Sequence, residues 1–320
     1  MILITGCAGF IGYHLSKELL KKNIKIVGID CLNEYYSKKL KLKRLNLLKK
    51  NSNFHFRKIN LNNYSALNSF LKKKKIEKIV HLAAQPGVRV SLKKPLNTLK
   101  QNVNALINIL EAARIKKVKK FLYASSSSIY GETRIYPFNE DDKENKPISV
   151  YGASKLTNEI LAASYARNFK IKCVGLRFFT VYGPLGRPDM AYYSFLDNLR
   201  KNKTITVFNK GAMKRDFTYI DDVVEGIISL LNLKLKENHL VLNIGKGKPD
   251  NLMHLVNLIE TNYNKKFKII FSKKIPVGDI KKTYSNTQRA KKYINWKPKV
   301  NLKEGIKKFV DWYKIYYGVK

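Results

Sequence analysis

The chain has 320 residues, with 63 Lys and Arg against 23 Asp and Glu and a formal net charge of +40 at pH 7. Its 44% apolar and 11% aromatic residues are enough to bury a core, which excludes global disorder, and its length suits about two domains. No apolar run reaches the roughly 18 residues of a membrane span, no secretory leader is recognised, and Cys7, Cys31 and Cys173 are too few and too scattered for a disulfide framework or a zinc site. A cytoplasmic protein without a metal, a membrane anchor or disulfides is the expectation.

In chain order, Ile2–Thr5 reads as a strand, 10–22 as a helix and 24–30 as a second strand. Further strands are predicted at 54–59, 76–82, 121–125 and 171–177, with helical patterns between them. Such alternation predicts an α/β fold with a doubly wound, mainly parallel sheet, covered on both faces. Near residue 180 the rhythm breaks at Pro184, Gly186 and Pro188. A first domain is therefore placed at 1–180 and a smaller α/β substrate-binding lobe at 181–320. The segment 217–243, with a helix at 220–231 whose Asp221 and Asp222 suit its N-terminal dipole, is expected to return to the first domain.

Gly6-Cys7-Ala8-Gly9-Phe10-Ile11-Gly12 lies between the first strand and the first helix. Missing side chains allow a tight turn and let backbone amides approach a pyrophosphate at the helix N-terminus. Asp30 ends the next strand, 18 residues beyond Gly12. A carboxylate there accepts ribose hydroxyls and repels a 2′-phosphate, which favours NAD over NADP.

Tyr151-Gly152-Ala153-Ser154-Lys155 opens a helix expected to run to about residue 166. Tyr151 and Lys155, at i and i+4, share a face, where an ammonium would lower the phenol's pKa and make it a usable base. Upstream, Ser125-Ser126-Ser127-Ser128 closes a strand at the end where open α/β sheets bind ligands. Glycine loop, acid, serines and Tyr/Lys pair follow one another in the order that a single site requires.

With these motifs the chain resembles the extended short-chain dehydrogenases/reductases of the nucleotide-sugar epimerase group, which have a Rossmann-type sheet. His81-Leu82-Ala83-Ala84-Gln85-Pro86-Gly87-Val88-Arg89, the segment from Leu176 to Pro184, Gly186-Arg187-Pro188-Asp189-Met190-Ala191 and the run from Met213 to Asp222 are similar to UDP-glucuronate 4-epimerases. The resemblance extends to Asn295-Trp296-Lys297-Pro298 and the last helix. It implies that Tyr151 takes the proton of the sugar's 4-hydroxyl, that Lys155 holds the nicotinamide ribose, and that Ser126 hydrogen-bonds the reacting oxygen. It further implies NAD contacts from Gly6, Gly9, Phe10, Ile11, Gly12, Asp30, Asn33, Asn60, Leu61, Leu82, Ala83, Ala84, Asn102 and Phe178. For a UDP-sugar it implies Gln85, Ser127, Ser128, Thr180, Arg187, Arg215 and Asp279, with Ser128 and Thr180 on a uronate carboxylate and the arginines on the diphosphate.

Related dehydratases carry an Asp-Glu pair, and related decarboxylases a Glu, where this chain has Ser127 and Ser128, so elimination is disfavoured. Departures from the resembled pattern are Asn60 for an aspartate, Ser285-Asn286 for Ala-Asp, and Pro276 for an arginine. The expected reaction converts UDP-glucuronate to UDP-galacturonate, for surface polysaccharide. A 4-epimerase of UDP-glucose or UDP-N-acetylglucosamine is the alternative, and a UDP-uronate decarboxylase a weaker one. Relatives of this kind pair helices into a homodimer, here 96–114 and 151–167.

The charge adds little to this. Lysine makes up 52 of the basic residues, scattered along the chain beside 30 Asn and 30 Ile, as AT-rich codons would produce. No nucleic-acid partner is expected from so diffuse a charge.

Overall fold

Seven short apolar runs form one parallel sheet in this computed structural model, which describes residues 1–133, 135–142 and 145–319. In chain order the first strands are β1 (Ile2–Thr5), β2 (Ile26–Asp30), β3 (Phe54–Lys58), β4 (Lys78–His81), β5 (Lys120–Ser126) and β6 (Lys172–Phe178). Then come β7 (Thr180–Tyr182), β8 (Ile205–Val207), β9 (Lys214–Arg215), β10 (Phe217–Tyr219), β11 (His239–Ile244), β12 (Asp250–Asn251) and β13 (Ile269–Phe271). The helices are α1 (Phe10–Lys21), α2 (Lys38–Lys49), α3 (Tyr64–Leu71), α4 (Val88–Lys93), α5 (Pro95–Leu99) and α6 (Ala105–Ile115). They continue as α7 (Val150–Phe169), α8 (Ala191–Arg200), α9 (Ile220–Asn232), α10 (Leu252–Tyr263), α11 (Gln288–Ile294) and α12 (Leu302–Tyr317).

The sheet runs β11-β6-β5-β4-β1-β2-β3. Alternation along each strand sends neighbouring side chains to opposite faces. Ile4, Val80, Leu122 and Val174 pack with Leu15 and Leu19 of α1 and Val223 and Ile227 of α9. Leu3, Ile79, Phe121 and Cys173 meet Leu106 and Leu110 of α6 and Ala162 and Ala166 of α7. Both faces are thus dry, which is why these strands read as continuous apolar runs.

The chain moves outward from β1 through β2 to β3 and then returns to β4 on the other side of β1. That reversal opens a crevice at the strands' carboxyl ends, where the glycine loop, Asp30 and the serines stand. Strand limits differ from the sequence reading where the chain is still turning: Ile24 N donates to Leu19 O, so β2 starts at Ile26.

Beyond β6 the chain builds three two-stranded sheets, β7 with β10, β12 with β9 and β13 with β8. Within this region α9 packs on α1, and β11 pairs in parallel with β6 in the main sheet. Among the described residues no helix is long and apolar enough to cross a membrane.

Candidate active site

The glycine loop has little room for side chains. Gly6 has φ +70°, and a Cβ there would lie 2.8 Å from Ala83 N. A Cβ on Gly12 would lie 2.2 Å from Gly6 O, so the first turn of α1 sits directly on the loop. Asp30 is buried at the end of β2 and accepts from Ala8 N at 3.1 Å and Leu32 N at 2.8 Å. Burial pushes its carboxyl pKa up, while these amides and the Lys41 charge pull it down.

One cleft is lined by Gly6, Gly9, Phe10, Ile11, Gly12, Asp30, Asn33, Asn60, Leu61, Leu82, Ala83, Ala84, Tyr151, Lys155 and Phe178. Apart from Asn102, these are the residues named for NAD from the sequence. The loop that only glycine can form, with a carboxylate at the neighbouring strand end, fits a dinucleotide. Asn60 accepts from Asn62 N at 3.1 Å, leaving its carboxamide in the place of an aspartate.

A second cleft opens from the first and is lined by Ser126, Ser127, Ser128, Tyr151, Phe178, Thr180, Arg187, Arg215 and Asp279. Ser126, Tyr151, Phe178 and Arg187 line both clefts, so the Tyr151 phenol stands where the two meet.

α7 is started by Ser149, whose hydroxyl accepts from Gly152 N at 3.0 Å. Gly152 is required between the two functional residues, because a Cβ there would lie 2.5 Å from Ser128 O. The backbone N of Tyr151 donates to Ser91 Oγ at 3.0 Å, and Ser126, whose Oγ accepts from Ser128 N at 3.1 Å, lines the same clefts as the phenol. Lys155 is buried, donates to Ala124 O at 2.9 Å, and has its pKa pulled down to about 8 by desolvation.

Three placements differ from the sequence reading. Lys155 was expected to be the charge that acidifies Tyr151. Here burial raises the phenol's pKa, and the opposing influences are the Arg187 charge and the nearby Ser126 side chain. Lys155 lies along the ring, 5.9 Å from its centroid, and is engaged with the sheet. Gln85 and Asn102 stand in the wall behind the clefts. Asn102, in a π-helical turn over Lys100–Asn104, accepts from Gln85 N at 2.7 Å and donates to Gln85 O and Ser154 Oγ. The Gln85 amide donates to Pro86 O at 3.0 Å. Both hold the loop after β4 against α7.

Other residues at the site were assigned no role from the sequence. Arg44 is fully buried and donates to Ala8 O, Leu185 O and Gly186 O, tying the glycine loop to the second lobe's first loop. Lys41 lines the cofactor cleft and donates to Asn33 Oδ1 at 2.5 Å. Asp189 fixes Arg187 at 2.5 Å and accepts from Tyr35 OH at 3.0 Å. Lys41 and Arg44 are hidden in a lysine-rich helix, and only its buried face, marked by Leu40, Leu45 and Leu48, singles them out.

Comparison with known proteins agrees with this geometry. The NAD dependent epimerase/dehydratase family matches residues 2–245. An uncharacterized protein of Methanocaldococcus jannaschii, MJ1055, is 46% identical over 98% of this chain and 95% of its own length. A UDP-glucuronate 4-epimerase of Thermodesulfobacterium geofontis is 39% identical, again over 98% and 95%. The crystal structure of UDP-glucuronic acid 4-epimerase from Bacillus cereus, in complex with UDP-glucuronic acid and NAD, superposes with a TM-score of 0.90 at 36% identity, covering 99% of each chain. The chain belongs to the NAD dependent epimerase/dehydratase family.

Proposed function

We propose that this protein is a UDP-glucuronate 4-epimerase that keeps NAD bound and produces UDP-galacturonate. The observation that carries this reading is that Ser126 and Tyr151 stand together at the junction of the two clefts. NAD, when bound, supplies a reversible hydride acceptor for the sugar's C4. Tyr151, as phenolate, takes the proton of the 4-hydroxyl, and Ser126 hydrogen-bonds the same oxygen as it becomes a ketone. The Arg187 charge near the phenol favours the phenolate. After the 4-keto sugar turns over, Tyr151 returns the proton to the oxygen on C4.

A 4-keto uronate is a β-keto acid and loses CO₂ when its C5–C6 bond aligns with the carbonyl π-system. Ser127, Ser128 and Thr180 line the substrate cleft beside Tyr151 and offer three hydroxyls to hold the carboxylate out of that alignment. Arg215 and Asp279, on the same cleft, are assigned to the diphosphate and the uridine ribose. The absence of an acid at Ser127 and Ser128 leaves no side chain there for elimination chemistry.

A cytoplasmic homodimer is part of the same reading. Leu92, Leu96 and Leu99 on α4 and α5 and Ile160 on α7 are exposed, Leu96 to 82% and Ile160 to 63%. Pairing that face with a second copy would cover them. The reaction is tested by proton NMR of the purified protein with UDP-glucuronate, UDP-glucose and UDP-N-acetylglucosamine in separate tubes. UDP-galacturonate is expected from the first. Conversion of only the neutral sugars, or release of a UDP-pentose, would overturn the assignment.

A further inference from the structure

The sheet-facing side of α7 carries a third polar residue in step with Tyr151 and Lys155. Glu159 lies four residues beyond the lysine and therefore on the same stripe of the helix. Its side chain is 7% exposed and that of Arg177, on β6, 4%. Arg177 donates from Nε to Oε1 at 2.9 Å and from Nη2 to Oε2 at 2.8 Å, a bidentate pair. Arg177 also stands in register beside Ser125 on β5, and Ser125 Oγ donates to the same Oε1 at 2.5 Å.

The remaining contacts of the pair extend the same set of bonds. Arg177 Nη1 donates to Tyr130 OH at 2.9 Å, which donates to Asn243 Oδ1 at 2.7 Å. Asn243 is the register neighbour of Arg177 on β11. Helix α7, strands β5, β6 and β11, and the turn that follows Ser126 are thus joined through one carboxylate–guanidinium pair.

A buried ion pair contributes little net stability compared with apolar residues of the same size, so its value here lies in geometry. Ser125 is bonded covalently to Ser126, which lines both clefts together with Tyr151. Lys155 also ties α7 to β5, through Ala124 O, but that amine is assigned to the cofactor. Glu159 has no second duty of this kind. We propose that Glu159, held by Arg177, is a positioning residue that fixes Ser126 against Tyr151 through its bond to Ser125. This rests on the reading of Tyr151 as the base.

The test uses two variants of the full-length protein. Ser125→Ala removes the tie and leaves the Arg177–Glu159 pair intact, so it keeps the proposal testable even if Glu159→Gln does not fold. Turnover of UDP-glucuronate is measured with the Tyr151 phenol titration, read as the ultraviolet difference against Tyr151→Phe. Ser125→Ala is expected to lower kcat about tenfold, as a small misplacement at a reacting centre does. KM should stay within twofold, the melting temperature should be little changed, and phenol ionisation should move to higher pH. Turnover within twofold of the parent and an unmoved titration in Ser125→Ala would show a purely structural pair and overturn the proposal. If the parent protein does not turn over UDP-glucuronate, the substrate assignment fails, and the titration alone decides the positioning role.

Discussion

Arg89 Nη2 lies 2.9 Å from Asp279 Oδ2, so α4 is ion-paired to the second lobe beside the substrate cleft. The arginine is exposed and its guanidinium lies 5.5 Å from the Phe208 ring centroid. An exposed pair contributes only about 0–1 kcal/mol to stability. The pair places a second cation near Arg215. Arg89→Ala is expected to raise the KM for the UDP-sugar about tenfold with kcat within threefold, because remote diphosphate binding is uniform through the reaction. A fall in kcat at unchanged KM would instead place Arg89 at the reacting centre. Steady-state kinetics decide between the two.

The buried Lys155 amine predicts an unusual pH dependence. Its pKa falls from an ordinary 10.5 to about 8 on folding. Below pH 8 both states are charged, above 10.5 both are neutral, and in between the unfolded chain binds the extra proton. This group therefore makes stability rise with pH through that window. Keeping the amine charged below pH 8 therefore works against the folded state. Lys155→Met should be more stable than the parent at pH 7 in urea unfolding, with the gap closing as the pH rises to 10.5. A less stable variant with a constant gap would contradict this.

Gly12→Ala tests the loop. Its Cβ would lie 2.2 Å from Gly6 O and 3.0 Å from Cys7 Cα, all backbone, so α1 must shift away from the loop. Overpacking of this kind costs about 1–3 kcal/mol, occasionally more. The variant should melt several degrees lower and bind NAD at least tenfold more weakly in calorimetry. Unchanged NAD affinity would remove the loop from the cofactor site.

The sites that were legible in the sequence are those whose chemistry is local. The spacing of Gly6, Gly9 and Gly12, the strand end at Asp30 and the helical step from Tyr151 to Lys155 each follow from one element's geometry. What the sequence left hidden depends on how separate elements pack against one another. Arg187, from the second lobe's first loop, joins Tyr151 and Lys155 on one cleft although it lies more than 30 residues further along the chain. Glu159 and Arg177 meet only through the pairing of β5 with β6 and the packing of α7 on them. Asn102 and Gln85 are polar residues of the right type in the right segments, yet the asparagine is spent on the Gln85 backbone and Ser154 Oγ rather than turned into a cleft.

The exposed leucines of α4 and α5 and Ile160 of α7 predict self-association. Leu96→Asp combined with Ile160→Asp places charges on that face without touching the buried core. Sedimentation should show a dimer for the parent and a monomer for the double variant, with a circular dichroism spectrum unchanged. A parent that sediments as a monomer would contradict the pairing.

Inversion at C4 is expected to proceed without exchange of its hydrogen with solvent and without touching C5 or C6. Running the conversion of UDP-glucuronate in D₂O and reading the sugar protons by NMR tests it most directly. The expected product is UDP-galacturonate that keeps full proton occupancy at C4 and C5 and its carboxylate at C6. Deuterium at C5, or loss of the carboxylate as CO₂, would contradict it.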